Sequence, residues 1–405
     1  MDRELLDRLG EMHRDPYPHY ERARQTDGLV RVDELDAWLV ARDADVREVL
    51  GRPEAFSSAN ALKPDVLPSP AALAVLAGGF PDRPHVVVSD GDLHRRLREP
   101  LVRGLSPARV AAVAPYIAER AAALVGEFAG QGSVELMSAY ARRLPGEVIG
   151  RVVGLDPADV PAVVEGGQRF LELVFLPLPE EEQVAAAEAV VRMQHLLDGY
   201  ARDRRARPRE DLCTDIVVDV AGEGTAELTL DQRHETVSHL VNLLLAGHLT
   251  TTGLIGTTVL HLLRHPAQWE LLCKEPDRVP AAVEEAARYD TALQGFRRVT
   301  TCPVNLSGTE LPAGADVFVS FGAANRDAAA HARPDEFDIT RAPGRHLSFG
   351  VGAHACVGKG LAREQVQATL RELTSRLPSL RLAGDRPVTM LPMVLRSPQE
   401  LHLTW

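Results

Sequence analysis

The chain is organised around Phe349-Gly350-Val351-Gly352-Ala353-His354-Ala355-Cys356-Val357-Gly358, and a helical pattern follows this stretch at once. Its glycines allow positive φ angles and a close approach of backbone to a ligand. A cysteine just ahead of a helix lies near unpaired N–H groups and the positive end of the helix dipole, which favour the thiolate. Such a thiolate can bind a metal at one open face. For a lone cysteine, these residues by themselves favour the alternative, a tight turn around a buried free cysteine.

The spacing Phe-x-x-Gly-x-His-x-Cys-x-Gly resembles the cysteine loop of the cytochrome P450 family, the haem-thiolate monooxygenases. The resemblance implies haem b as the cofactor and Cys356 as the iron ligand. It also implies that Phe349 packs beside the ligand loop and that Gly350 and Gly352 turn amides towards the sulfur. Gly358 then lets the next helix lie against the porphyrin.

The same resemblance predicts the architecture. We expect a mainly α protein with small β-sheets (α+β), folded as one large haem-thiolate monooxygenase domain over residues 1–405. Its β-rich parts are expected at about 28–42, 295–321 and 379–405, and the remainder is expected to be rich in helices.

The composition restricts the partners. With 57 acidic and 45 basic residues the net charge is −12, which argues against a nucleic acid as the main partner.

The four cysteines are far apart and form no C-x-x-C pair, so a zinc site or disulfide framework is poorly supported. A reduced, cytoplasmic compartment is the simplest interpretation. The charged N-terminus lacks the apolar core of a signal peptide. No apolar run of about 18 residues is present, so we expect no membrane-spanning helix.

Local patterns divide the first half of the chain. They predict a helix over 14–27, a hairpin from 29–32 and 38–41, and a helix that Asp43 caps. Residues 57–90 are rich in Pro, Gly and Ser and read either as a functional loop or as a disordered surface insertion. From 107 to about 207 the pattern is almost entirely helical.

Within that helical region, Pro177-Leu178-Pro179 interrupts the pattern. The family resemblance implies that the helices on either side, roughly 157–176 and 180–206, form a mobile roof over a substrate pocket.

His94 and Arg98 form a second motif that resembles the family. His94 and Arg98 stand four positions apart in a predicted helix and therefore share one face, where two donor side chains can hold a carboxylate or a phosphate. A solvated basic face is the alternative that the residues leave open. By resemblance, this pair binds a haem propionate.

The longest helical pattern runs from Asp231 to about Arg264 and contains Ala246-Gly247-His248-Leu249-Thr250. A glycine in mid-helix costs about 1 kcal/mol relative to alanine, and a threonine can bond back to the carbonyl four residues earlier, here that of Ala246. These residues could form a notch for a small ligand, or could simply allow close packing. By resemblance, Ala246, Gly247 and Thr250 lie on the distal side of the iron, where the threonine steadies dioxygen and helps carry protons to it.

Leu249 departs from the family pattern, which places an acid before the threonine. An aliphatic side chain cannot relay a proton, so a water chain or the substrate has to supply protons if oxygen is activated. His248 is expected to point elsewhere, since a helix turns by about 100° per residue. The alternative is an altered haem-thiolate protein: a peroxide-dependent enzyme, a non-catalytic sensor or a module that binds a carrier protein.

Glu285 and Arg288 match the Glu-x-x-Arg pair of the family, which is buried behind the cysteine loop, although an exposed pair of small value is the alternative from the residues alone. The usual third member is an arginine at the position of Glu336. Arg333 or Arg341 is therefore the candidate substitute.

After Gly295 the hydrophobic period changes to two, which predicts short, mostly antiparallel strands. By resemblance, Arg298 reaches the second haem propionate and His346 joins it there. Residues 392–395 are expected to form a turn that enters the pocket, or a plain hairpin.

No flavin or NADPH domain is apparent, so the resemblance implies electrons from a ferredoxin and its reductase. Arg345, Lys359 and Arg363 flank the cysteine loop and are candidates for a basic surface that binds an acidic ferredoxin. The expected activity is the use of O₂ to hydroxylate or otherwise oxidise a small apolar substrate, free or tethered to a carrier protein, in secondary metabolism.

Overall fold

Helices form most of the protein and confirm the predicted fold class. The computed structural model describes residues 12, 15–64, 66–342, 344–384, 388–391 and 394–405. In this part of the chain the α-helices, α1 to α14 in order, are Tyr17–Gln25, Asp43–Gly51, Pro70–Leu76, Gly91–Gly104, Pro107–Phe128, Arg143–Val153, Val160–Phe175, Glu180–Ala206, Leu212–Ala221, Leu230–Arg264, Pro266–Lys274, Val279–Tyr289, Phe321–Ala324 and Lys359–Arg376.

The strands form three small sheets. Strands β1 to β10 are Val30–Val32, Ala37–Val40, Phe56–Ser57, Ser133–Glu135, Gly295–Thr300, Val304–Leu306, Thr309–Leu311, Asp316–Ser320, Arg381–Leu382 and His402–Thr404. The largest sheet has the order β1-β2-β8-β5-β3, in which only β2 and β8 are parallel, and the others are β4-β10-β9 and β6-β7. The predicted hairpin at 29–41 and the antiparallel pairs after Gly295 are confirmed.

Some elements lie outside the predicted boundaries. The segment 57–90 contains α3, whose first turn begins at Pro70 and is capped by the Ser69 hydroxyl, which accepts the Ala72 N–H at 3.2 Å. Strand β4 interrupts the region predicted as almost entirely helical, because its partner β10 comes from the far end of the chain. Of the turn predicted at 392–395, residues 392 and 393 lie outside the described part of the chain.

The chain separates into two compact units. The first contains the chain up to Ala61, Ala114–Leu144 and Thr250–Trp405, and the second contains Leu62–Val113 and Pro145–Leu249. The single domain over 1–405 therefore stays a prediction.

In the first unit, α2 packs on the largest sheet. Val46 and Val49 of α2 share a buried core with Val317 and Val319 of β8, and Leu347 belongs to the same core. Burial of each such side chain stabilises the fold by about 1.5–3 kcal/mol. Because Leu347 is fully buried, it fixes the point at which the cysteine loop begins.

In the second unit, α7 and α8 lie on either side of the predicted break at 177–179 and pack against each other. Leu173 of α7 meets Ala186 and Ala187 of α8 in a small buried cluster that also includes Ala72 of α3. The two predicted helices around this break are thus confirmed, and they are held by apolar contacts between small side chains.

Helix α10 (Leu230–Arg264), with 35 residues, is the longest of the described helices. Among the described residues it is the one helix long and apolar enough to cross a membrane by length and composition, and 72% of its most apolar window is buried inside the protein. This degree of burial is typical of a core helix.

A buried carboxylate connects distant segments of the first unit. Asp290, which follows α12, accepts hydrogen bonds from the Tyr17 hydroxyl and from Arg396 Nε, both at 2.7 Å. Its other oxygen lies 2.8 Å from Nε2 of His261 on α10. Burial alone would raise the pKa of Asp290, but Arg396 and the His261 hydrogen bond outweigh it and lower the pKa. Asp290 is therefore charged at neutral pH and joins four parts of the chain.

Replacing this carboxylate is expected to destabilise the fold strongly. Asp290→Asn should lower the free energy of unfolding at neutral pH by about 3–5 kcal/mol, because Arg396 stays buried without its counter-charge. Since the folded-state pKa lies below the unfolded value, the stabilisation is complete above about pH 4 and is lost as the pH falls. The variant should therefore lose less stability on acidification than the wild type. Urea unfolding over a range of pH measures both effects.

The control for this prediction is Glu336→Gln. Glu336 pairs with Arg333 on the surface, so its loss should change the free energy of unfolding by about 0–1 kcal/mol. Equal unfolding midpoints for the two variants would contradict the role given to Asp290.

Candidate functional site

The cysteine loop of the first unit is closed by its own backbone. The Cys356 N–H donates to the Phe349 carbonyl at 2.8 Å, and the Gly350 N–H donates to the Leu347 carbonyl at 2.8 Å. A short 3₁₀ turn over Gly352–His354 lies between them. Helix α14 begins three residues after Cys356, as the sequence predicts. The loop thus presents an exposed thiol from a fixed backbone position.

Two glycines make this path possible. Gly350 and Gly352 have φ angles of 62° and 73°, a region that other residues rarely adopt. A Cβ atom on Gly352 would also lie 2.7 Å from the Leu50 carbonyl oxygen at the end of α2, whereas one on Gly350 would meet nothing closer than 3.6 Å. Gly352 is therefore required for close packing as well as for its φ angle. Gly358 occupies the N-terminal cap of α14, with φ of −81°.

Arg298 lies on β5 opposite Val317 of β8. It is buried, with 4% of its surface exposed. Its guanidinium donates to the Arg297 carbonyl at 2.7 Å and lies 5.9 Å from the centre of the Phe296 ring. The sheet thus holds a buried cation in the unit that carries Cys356.

His346 is engaged by protein groups. Its Nδ1 accepts the Ser348 N–H at 3.3 Å, so Nε2 carries the proton of the neutral ring and donates to Glu284 at 3.1 Å. The sequence prediction joined His346 to Arg298 at a propionate. In the structure its ring nitrogens are bonded to Glu284 and to the Ser348 N–H, and its place at a propionate stays a prediction.

A second histidine lies closer to the cysteine in sequence. His354 is the last residue of the 3₁₀ turn, two positions before Cys356, and its Nε2 is 3.0 Å from the Ser58 hydroxyl. The motif displayed this histidine, but the sequence alone gave no reason to prefer it over His346.

One of the three cations in the predicted basic surface is bound to a carboxylate of the protein itself. Arg363 on α14 binds both carboxylate oxygens of Glu284, at 2.6 and 2.7 Å. Arg345 and Lys359 are exposed. Arg363 is thus paired within the protein while 30% of its side chain stays exposed, and the ferredoxin surface remains a prediction for all three cations. Sequence reasoning missed Glu284 because its neighbour Glu285 carries the family match.

The predicted Glu-x-x-Arg pair is buried and has its third member. Arg288 donates to both carboxylate oxygens of Glu285 at 2.8 Å, and each side chain is 3% exposed. Arg341 Nε approaches the same carboxylate at 3.1 Å, whereas Arg333 pairs with Glu336 at the surface. Of the two candidates that the sequence left open, the structure selects Arg341.

The second unit carries His94 and Arg98 on α4 (Gly91–Gly104). The helix is continuous between them, so they share one face as predicted. His94 is 4% exposed, whereas Arg98 is half-buried. The buried histidine argues against a fully solvated basic face.

The part of α10 in the second unit borders a small apolar cavity. The cavity is lined by Gly146, Ile149, Val160, Val163, Leu244 and His248, among others. A Cβ atom on Gly247 would lie 2.8 Å from the Ile149 side chain. Close packing against α6 thus explains Gly247, and His248 points into the cavity.

Solvent accessibility changes abruptly along α10. Residues 236–244 and 251–263 are all buried, yet Ala246 is exposed and Gly247, Leu249 and Thr250 are half-exposed. An otherwise buried helix is thus open over about one turn. The opening coincides with the residues that the sequence singled out as a notch.

The comparisons with known proteins agree with this arrangement. A sequence model described as Cytochrome P450 matches residues 169–405. Pentalenic acid synthase from Streptomyces avermitilis is 33% identical over 400 residues, which cover 96% of this chain and 94% of that protein. The structure of cytochrome P450 CREJ in complex with (4-ethylphenyl) dihydrogen phosphate has a TM-score of 0.90 and 31% identity, with 97% of this chain and 98% of that one covered.

A further similar structure contains a partner protein. P450BioI in complex with hexadec-9Z-enoic acid ligated acyl carrier protein has a TM-score of 0.84 and 27% identity, with 98% of this chain and 99% of that one covered.

The chain therefore belongs to the cytochrome P450 family. It is an oxidoreductase of the monooxygenase class, and the cofactor of the family is haem bound through a cysteine thiolate. The residues present fit this group: Cys356 offers an exposed soft ligand suited to iron, and Arg298 offers a buried cation suited to a carboxylate.

Gly352 and Gly350 provide a matched pair of variants. Each alanine substitution should cost about 1–2 kcal/mol for the positive φ angle, and Gly352→Ala adds the clash with the Leu50 carbonyl. We expect Gly352→Ala to lower the haem content and the thermal midpoint more than Gly350→Ala does, as measured from the ratio of Soret to protein absorbance and by thermal unfolding. Equal losses would show that packing against α2 does not fix the loop.

Proposed function

We propose that this protein uses O₂ and externally supplied electrons to hydroxylate or otherwise oxidise a small apolar organic molecule in bacterial secondary metabolism. The observation that carries the proposal is the exposed Cys356 thiol on a loop closed by the bond from its own N–H to Phe349. The similarity to pentalenic acid synthase supports the metabolic setting.

Each predicted site residue has a proposed role. Cys356 is the iron ligand, Phe349, Gly350, Gly352 and Gly358 shape its loop, and Arg298, His94 and Arg98 hold the propionates. His346 is proposed to join Arg298 there, and His354, whose Nε2 lies 3.0 Å from the Ser58 hydroxyl, is a second candidate histidine. A thiolate-bound haem supplies the oxidising chemistry by favouring O–O cleavage. The protein contributes binding, orientation and control of water.

The open turn of α10 is the proposed oxygen side. Ala246 is exposed at this turn and leaves room for a small ligand, Gly247 lets α10 pack closely beside it, and the Thr250 hydroxyl can donate and accept hydrogen bonds there. Leu249 supplies no proton, so we propose that ordered water or a substrate hydroxyl delivers protons through Thr250. This departure also supports a second candidate, a haem-thiolate protein that uses peroxide, or that binds without catalysis as a sensor or carrier-protein module.

We propose a cytoplasmic enzyme that takes electrons from a ferredoxin and its reductase. The cations Arg345, Lys359 and Arg363 contribute to the ferredoxin surface, where Arg363 is held in place by Glu284. The P450BioI complex supports a substrate tethered to a carrier protein as one form of the small apolar substrate.

Replacing the proposed iron ligand tests the site directly. Cys356→Ser should abolish the long-wavelength Soret band of the ferrous–CO complex, because serine does not donate electron density as a thiolate does. Cys302→Ser, which changes an exposed cysteine elsewhere in the chain, is the matched control and should keep the band. An unchanged spectrum in Cys356→Ser would show that another residue binds the iron.

Restoring an acid before the threonine tests the proton supply. With ferredoxin, reductase and NADPH, Leu249→Glu should raise the fraction of NADPH consumed that appears as product, by an amount of order tenfold at most. Leu249→Gln is the control, since it is polar but cannot act as an acid. If coupling is the same in all three proteins, the missing acid is irrelevant. Turnover with peroxide alone, and none with NADPH, would favour the second candidate.

A further inference from the structure

Two adjacent glutamates on α12 (Val279–Tyr289) have different partners. Glu285 binds Arg288 and Arg341, which completes the buried core pair described above. Glu284 instead binds Arg363 of α14 and His346, which begins the approach to the cysteine loop. Helix α12 thus forms ion pairs in the core through Glu285 and near the cysteine loop through Glu284.

The contacts of Glu284 are specific. Arg363 meets the carboxylate with two parallel hydrogen bonds of 2.6 and 2.7 Å, the strongest geometry available to this pair. The His346 Nε2–H adds a third at 3.1 Å. Burial would raise the pKa of Glu284, but the hydrogen bonds from His346 and Arg363 outweigh it and lower the pKa to about 2. The carboxylate is therefore charged at neutral pH.

Both partners of Glu284 also contact Phe349. The guanidinium carbon of Arg363 lies 4.4 Å from the centre of the Phe349 ring, within the range of a cation–π interaction. The His346 ring lies 5.8 Å from the same ring, at an angle of 46°. The Phe349 ring is thus in contact with two side chains that one carboxylate holds in place.

Phe349 in turn fixes the cysteine, since its carbonyl accepts the Cys356 N–H at 2.8 Å. We propose that Glu284 is a positioning residue for the iron-ligand loop, acting through Arg363 and His346 on Phe349 and from there on the Cys356 amide. The inference rests on the proposed role of Cys356 as the ligand.

Through these contacts, Glu284 restrains the position of the Cys356 sulfur. Outer partners that orient a metal ligand commonly change metal affinity or activity by about 10–100-fold when they are removed. If Phe349 is released, the Cys356 amide loses its fixed acceptor, and the position of the sulfur would be held less firmly. The expected consequence is faster conversion of the ferrous–CO complex from the long-wavelength to the short-wavelength Soret form.

The experiment uses the haem-loaded full-length protein and follows this conversion with time. Glu284→Gln removes the charge and one bidentate partner, whereas Arg363→Lys keeps the charge but loses the planar stack and the paired bonds. Both should convert at least about tenfold faster than the wild type. The double variant should be no worse than the more affected single variant, because both changes break the same chain of contacts.

Glu270→Gln is the matched control, since Glu270 is an exposed glutamate of the same unit, 3.9 Å from Lys274. It removes one negative charge and should leave the conversion rate unchanged. Glu284→Asp, which keeps the charge, should convert at a rate between those of the wild type and Glu284→Gln.

Three results would overturn the inference: wild-type rates in both single variants, equal acceleration in Glu270→Gln, or multiplicative acceleration in the double variant. If Glu284→Gln does not fold, Arg363→Lys decides the question alone. A wild-type protein without any long-wavelength band would instead refute the proposed ligand, which is a separate failure.

Discussion

The hydrogen bond from the Cys356 N–H to the Phe349 carbonyl is the interaction on which the site depends. It closes a loop that glycines at positive φ allow to turn, and it leaves the sulfur exposed beside the start of α14. On one side the loop begins at buried Leu347, and on the other it packs Gly352 against the end of α2. The first unit thus supplies a rigid frame for one atom, and rigidity of this kind is what a metal ligand requires.

Most of the fold and the identity of the loop could be predicted from local signals. The long pattern of α10, the break at 177–179 and the glycine spacing before Cys356 each depend on residues that are close in sequence. Strand β4 could not be predicted in this way, because its partner β10 lies at the opposite end of the chain. The short helix α3 was hidden in a segment rich in Pro and Gly, where only its Ser69 cap and Pro70 indicate a start.

The site was harder to predict where two or more residues of the same type lie near Cys356 in the sequence. The sequence offered two histidines near Cys356 and three nearby cations, and spacing alone could not say which side chains bind within the protein. The structure shows that one carboxylate, that of Glu284, binds both His346 and Arg363. The same holds for the cluster of Glu285 and Arg288, whose third member is Arg341, at 3.1 Å from Glu285, and not Arg333. Long-range ion pairs of this kind leave no periodic signal in a sequence.

X-ray absorption at the iron edge of the haem-loaded resting protein tests the central claim most directly, since it counts the sulfur atoms bound to the metal. The account predicts that the protein provides one sulfur ligand in the first coordination shell of the iron and that the porphyrin provides the nitrogen ligands. A first shell of nitrogen and oxygen alone would contradict the assignment of Cys356 and, with it, the roles given to the loop and to the residues that hold it.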